Sequence, residues 1–370
     1  MNAKQSNDPT PIPADLREAA GMILPGHGDM STIAGAPASI RVETKQGPAR
    51  VTRWPAGTTD ARLEALHALF ALRDSADAPF LPVPIGVPNH GASISLPGGH
   101  RYEARGWLPG SPAVRDALIP GQPLPSPISV DHVAAAAKAV ARLHTAGRSV
   151  ASDRATPAVP LTLLHRQTAI ICRETKDRLT PLVQTFPPMR DWVRAGDRII
   201  PIAADAIGGL LDSEERRFVF SHGGLWPEHI LFVREEGTPV VSGLAGWTNS
   251  VVTSPLVDLS QLVSRTRGWS NETIEAVVEN YQQEATLAPL ERRSLPVIVA
   301  LDLLREGARL LDIYMRRDEG VFKHSEYMLV FNALERTLDA LEAVQPVIGG
   351  FDDPTPKRGR KWVHRPRNGR

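Results

Sequence analysis

The sequence predicts an α+β protein of two lobes, a small β-rich lobe followed by a larger, mostly helical one. Three observations carry this. Short β-branched runs separated by turn residues fill residues 31–54. Apolar residues at helical spacing dominate 131–212 and 255–345. Between those helical stretches the chain returns to strand-like runs at 217–246. A length of 370 residues suits two such units.

Residues 1–20 are polar and Pro-rich with a short helical hint at 15–20, and are expected to be flexible. Residues 21–107 form the expected N-lobe. Ser31–Gly35 and Ile40–Thr44 read as strands flanking a small-residue loop at 35–39, and Ala49–Trp54 as a third strand. Residues 60–73 read as a helix, with Leu63, Leu66, Leu69, Phe70 and Leu72 on one side and Asp60 as N-cap. Arg105-Gly106-Trp107-Leu108-Pro109-Gly110 reads as the crossover between lobes. The expected C-lobe runs over 108–350, and its hairpin region over 217–259. Leu301, Leu304, Ala308, Leu311 and Met315 make one core face. The tail 351–370 holds seven Lys/Arg, two Asp and no apolar period, and is expected to be disordered.

Composition excludes several classes. The 42 basic and 41 acidic residues nearly cancel, so the whole surface is not an electrostatic trap for nucleic acid. One cysteine, Cys172, excludes an internal disulfide and Cys-based zinc clusters, and reads as a buried small hydrophobe. The start of the chain lacks the apolar segment of a signal peptide, and no run reaches the ~18 residues of a membrane span. A cytoplasmic protein with no membrane partner is the expectation.

The informative segment is Phe218-Val219-Phe220-Ser221-His222-Gly223-Gly224-Leu225-Trp226-Pro227-Glu228-His229-Ile230-Leu231-Phe232. Ser242-Gly243-Leu244-Ala245-Gly246-Trp247 follows, then Ser254-Pro255-Leu256-Val257-Asp258-Leu259. The order and spacing of these blocks resemble the aminoglycoside phosphotransferase and choline kinase-like family, relatives of the protein kinases. Ala141-Arg142-Leu143-His144 and Trp107-Leu108-Pro109-Gly110 resemble flanking features of the same family. The resemblance implies a protein-kinase-like fold, an ATP site between the lobes and transfer of phosphate to a small-molecule hydroxyl. It implies Arg53 on the phosphates with Glu64 as its partner, the loop at Gly35 and Ser39 over them, and Trp107 at the hinge.

Phosphoryl transfer is mostly positioning and charge neutralisation. It uses a carboxylate base and hard oxygen ligands for Mg²⁺. The chain departs from the family pattern at these positions. Gly224 stands where the family has its catalytic Asp, Gly246 where it has a Mg-binding Asp, and His229 where it has a Mg-binding Asn. A glycine can neither accept a proton nor ligate a metal. His222 matches a position that braces the catalytic loop, and Trp247 and Asp258 match packing and capping positions, Asp258 either orienting the loop or capping the helix at Leu259. The resemblance therefore implies ATP as a ligand while leaving Mg²⁺ without its carboxylates. Three readings follow: an impaired phosphotransferase that binds a nucleotide or small molecule, an active one using a substitute acid such as Glu228, or a protein or nucleic-acid binder acting through residues 357–370.

Overall fold

The computed structural model describes residues 11–33, 36–85, 93–113, 128–153, 158–183, 186–212, 217–266, 270–315 and 324–348. The expected loop residue Gly35 and the basic tail lie outside them.

The N-lobe comprises α1 (Ala14–Ile23), β1 (Met30–Thr32), β2 (Ser39–Val42), β3 (Ala49–Arg53), α2 (Asp60–Ala71), β4 (Pro84–Ile85), β5 (Ile94–Ser95) and β6 (Arg101–Gly106). Its antiparallel sheet runs β1-β2-β3-β6-β4, with β5 also on β6. The two-residue period of the strands sorts their side chains onto two faces. Ile40, Val42, Ala49, Val51, Tyr102 and Ala104 face one way and pack under α1. α1 contributes Leu16, Ala19, Ala20 and Ile23, an i, i+3, i+4, i+7 stripe. Residues 14–20, expected to be flexible, are thus helical and packed, because this stripe covers an apolar sheet face that would otherwise meet water. The opposite face looks toward α2 and the C-lobe.

α2 begins where the sequence suggests, but its N-cap is Thr59, whose hydroxyl accepts from the Arg62 amide at 3.3 Å. Asp60 is already helical and pairs with Arg101 at 2.7 Å. Leu63, Leu66, Leu69 and Phe70 bury their side chains in the same continuous core as the C-lobe helices.

The C-lobe comprises β7 (Ser111–Pro112), α3 (Val130–Asp153), α4 (Leu161–Leu179), α5 (Pro187–Asp212), β8 (Val219–Ser221), β9 (Ile230–Glu235), β10 (Thr238–Leu244), β11 (Val251–Thr253), α6 (Leu256–Thr266), α7 (Asn271–Gln282), α8 (Pro289–Met315) and α9 (His324–Ile348). Leu301, Leu304, Ala308 and Leu311 of α8 are buried as expected, and Met315 packs partly exposed against the same core. β9 and β10 form the hairpin, and β7 extends it on the β9 side. β8 pairs instead with β11, a strand the sequence reading left unassigned. That pairing brings the His222–Leu225 loop beside the Trp247–Ser250 segment.

Candidate active site

The loop after β8 is held by side chains from three helices. Asp258, in the first turn of α6, accepts from the His222 amide through Oδ2 and from the Gly223 amide through Oδ1, both at 2.8 Å. His144 Nε2 of α3 bonds the same Oδ2 at 3.0 Å, and its Nδ1 meets the Tyr281 hydroxyl of α7 at 3.0 Å. Gln261, one turn along α6, accepts from the Leu225 amide at 2.7 Å. Asp258 is fully buried. Burial alone would raise its carboxyl, but the His144 hydrogen bond and charge and the loop amides hold it below the ordinary carboxylate value. Asp258 thus orients the loop.

His222 is buried and its Nε2 donates to the Ala245 carbonyl at 2.7 Å. Its ring lies 4.6 Å from the Trp247 ring, centroid to centroid. Burial pushes its pKa down to about 4 against the attraction of Asp258, with nearby His229 adding to the depression. The imidazole is therefore neutral near pH 7. Trp247 is buried, donates to the Leu244 carbonyl at 2.7 Å, and meets Phe70 of α2 edge-on at 5.0 Å.

The two glycines and His229 come together. Gly224 is buried, and its carbonyl accepts from His229 Nδ1 at 2.7 Å. A Cβ at Gly224 would lie 3.0 Å from Asn249 Nδ2. Gly246 has φ +76°, a left-handed conformation that glycine adopts without steric cost. A Cβ there would lie 2.5 Å from His229 Nε2 and 2.6 Å from Nδ1. The imidazole therefore fills the space that a side chain at 246 would need. Among the described residues no group of three or more His, Cys, Asp or Glu side chains could hold a metal ion. The side chains nearest a Cβ at Gly224 and Gly246 are those of Asn249 and His229. Glu228, the expected substitute acid, sits half-buried in the 3-10 turn Pro227–His229.

On the N-lobe side two expectations are corrected. Arg53 shares the α1 face of the sheet, where Nη1 donates to Asp15 at 2.8 Å beside the Tyr102 hydroxyl, which donates to the same carboxylate at 2.7 Å. Strand alternation turns it away from the cleft. Glu64 is exposed on α2, and Arg53 takes its carboxylate from α1. From α2, His67 reaches the inner sheet face, where its Nε2 lies 2.8 Å from Glu103. Glu103 also pairs with Arg105. Burial would raise the Glu103 carboxyl, but Arg105 and His67 together hold it low. Ser39 does lie on the inner face, 3.1 Å from the Thr52 hydroxyl and accepting from Arg50 at 3.1 Å. Trp107 sits at the hinge, 37% exposed, with Arg41 stacked 4.9 Å from its ring.

Sequence reasoning missed Arg62, which joins the two sides, and the Trp226–Arg265 stack within the C-lobe. Arg62 of α2 donates to the carbonyls of Thr248 at 2.7 Å and Ser250 at 2.9 Å, tying the helix to the loop beside Gly246. Trp226 carries the Arg265 guanidinium 4.1 Å over its ring, and Arg265 pairs with Asp302 of α8 at 2.8 Å. These residues lie on helices and in the loop before the 3-10 turn, where neither strand parity nor helical period marks the partner.

A small antiparallel lobe, a hinge and a helical lobe with a braced loop facing the cleft define a protein-kinase-like architecture. The model of the phosphotransferase enzyme family (APH) matches residues 34–297, and the chain belongs to that family. No curated protein sequence matches it. Among solved structures it is similar to an aminoglycoside phosphotransferase from Alicyclobacillus acidocaldarius (TM-score 0.61, 13% identity, covering 94% of this chain and 98% of that one). It is also similar to a microcompartment-associated aminopropanol kinase (TM-score 0.61, 12% identity, 90% and 98% covered). A third is a choline/ethanolamine kinase family protein from Mesorhizobium loti (TM-score 0.53, 16% identity, 90% and 98% covered). At these identities the likeness establishes the fold.

Proposed function

We propose that the chain is a catalytically impaired member of the phosphotransferase family that works as a ligand-binding or regulatory module. The observation that supports this is the environment of Gly224 and Gly246. Neither position offers a carboxylate, and the His229 ring fills the space beside Gly246. Loss of a general base alone costs about 10²–10⁴ in rate, and loss of a metal carboxylate adds to it. The brace around the loop is retained, so the fold keeps the shape of the site while lacking its acids. The ligand is a small molecule or nucleotide held between the lobes, where sites of this kind form. A cytoplasmic setting suits the single buried thiol of Cys172, whose pKa burial raises to about 12.

The test is ATP-dependent phosphorylation, with Mg²⁺, of a panel of amino alcohols, sugars and aminoglycosides. The wild type is expected to show no turnover above background. Robust turnover of any member would overturn the reading and favour a substitute acid. Gly224→Asp combined with Gly246→Asp and His229→Asn checks the geometry, because activity appearing only in that triple variant identifies the missing groups.

A further inference from the structure

The inner face of the N-lobe sheet carries a charge arrangement that folding does not favour. Register places Arg41 of β2 directly opposite Arg50 of β3, and Arg50 directly opposite Arg105 of β6. Like charges directly opposite one another on a sheet face are destabilising. The outer two arginines have carboxylates of their own. Arg41 Nε donates to Glu43 at 2.8 Å, and Arg105 pairs with Glu103. Arg50, between them, donates only to the Ser39 hydroxyl among the described residues. Arg105 Nε is buried with no acceptor there. A guanidinium offers five N–H donors, so most of those on Arg50 remain to be satisfied. Burial, then the charge of Arg105, pulls the Arg50 pKa down to about 10, which still leaves it cationic near neutral pH.

The row runs from the hinge toward the catalytic-type loop. At the rim Arg41 stacks on exposed Trp107. At the inner end Arg105 lies 4.9 Å over the Phe70 ring, and its charge is felt at His222. Arg50 is deeply set yet not closed off, being intermediate in exposure. The Ser39 and Thr52 hydroxyls lie beside it. Three guanidiniums against Glu43 and Glu103 leave one positive charge uncompensated, recessed and surrounded by donors.

We propose that Arg50, flanked by Arg41 and Arg105, binds an oxyanion-bearing small molecule, through carboxylate or phosphate, without a divalent cation. The planar fork of arginine suits both anions bidentately. This rests on the ligand-binding reading above and names the ligand's chemistry. The charge supplies the affinity, so neither a purine base nor Mg²⁺ is required.

The experiment is calorimetric titration of the full chain in EDTA, at low salt, with pyrophosphate, citrate and adenosine. Pyrophosphate or citrate is expected to bind saturably, and whichever binds more tightly identifies phosphate or carboxylate as the chemistry read. Adenosine is expected to give no heat. Arg50→Gln is expected to weaken binding about 10-fold or more, the scale of a lost charge-assisted contact. Arg50→Lys, which keeps the charge, guards against a folding defect and is expected to lose less. Arg53→Gln, on the far face, is expected to bind as the wild type does. Binding of neither anion, wild-type affinity in Arg50→Gln, or saturable adenosine binding would each overturn the inference. Failure here, with phosphotransfer also absent, removes only this inference. Turnover of Mg-ATP removes the underlying reading whatever the anions do.

Discussion

Placing a carboxylate at position 246 tests whether His229 occupies the space that a side chain there would need. Gly246 sits at φ +76°. A non-glycine residue there costs about 1–2 kcal/mol, with Asp among the better tolerated. Its Cβ would fall 2.5 Å from His229 Nε2, so the ring must move. Such overpacking costs about 1–3 kcal/mol. Gly246→Asp alone should therefore destabilise by about 2–5 kcal/mol. In a His229→Asn background the ring is gone and only the backbone cost remains, about 1–2 kcal/mol. The double-mutant cycle should show a favourable coupling of about 1–3 kcal/mol, the overpacking cost that the Asn background removes. Urea unfolding of the four proteins, followed by tryptophan fluorescence, measures it. Additivity to within about 0.5 kcal/mol would refute the reasoning, because it would mean that the imidazole does not compete for that space.

Four further outcomes follow from the same structure. Asp258→Asn, which strips charge from the acceptor of two loop amides and His144, should destabilise by about 3–5 kcal/mol in denaturant titration. The folded-state depression of the buried His222 pKa from 6.5 to about 4 means that the unfolded chain takes up a proton first as pH falls. His222 should thus remove stability progressively between pH 6.5 and 4, by roughly 3 kcal/mol in total, and His222→Gln should flatten the unfolding free energy across that window. Arg62→Ala, which frees the Thr248 and Ser250 carbonyls, should speed amide exchange in the Trp247–Ser250 loop, whereas Arg53→Ala, losing a part-exposed pair with Asp15, should cost under about 1 kcal/mol.

Much of the architecture was legible because local chemistry repeats along the chain. The helical spacing of Leu301, Leu304, Ala308 and Leu311 marks a core face of α8, while the burial of every residue from Val297 to Leu304 is set by the helices packed around it. The block from Phe218 to Phe232 carried the family and the place of its loop, and no backbone arrangement restores side chains to Gly224 and Gly246. The basic face was harder to see. Strand parity already separates Ala49 and Val51 from Arg50 and Thr52, and sets Arg53 with the apolar pair. Which face is covered by α1 and which looks into the cleft depends on contacts distant in sequence.

The sequence alone determined the fold class and the order of the strand-rich and helical parts, and that positions 224 and 246 carry no side chain, since these depend on periodicity and residue identity. Only the tertiary structure decided that Arg53 pairs with Asp15, that His229 stands beside Gly246, and that three arginines meet across β2, β3 and β6. Register and helix docking are set by the sum of long-range packing, and no single segment encodes the neighbour it will face.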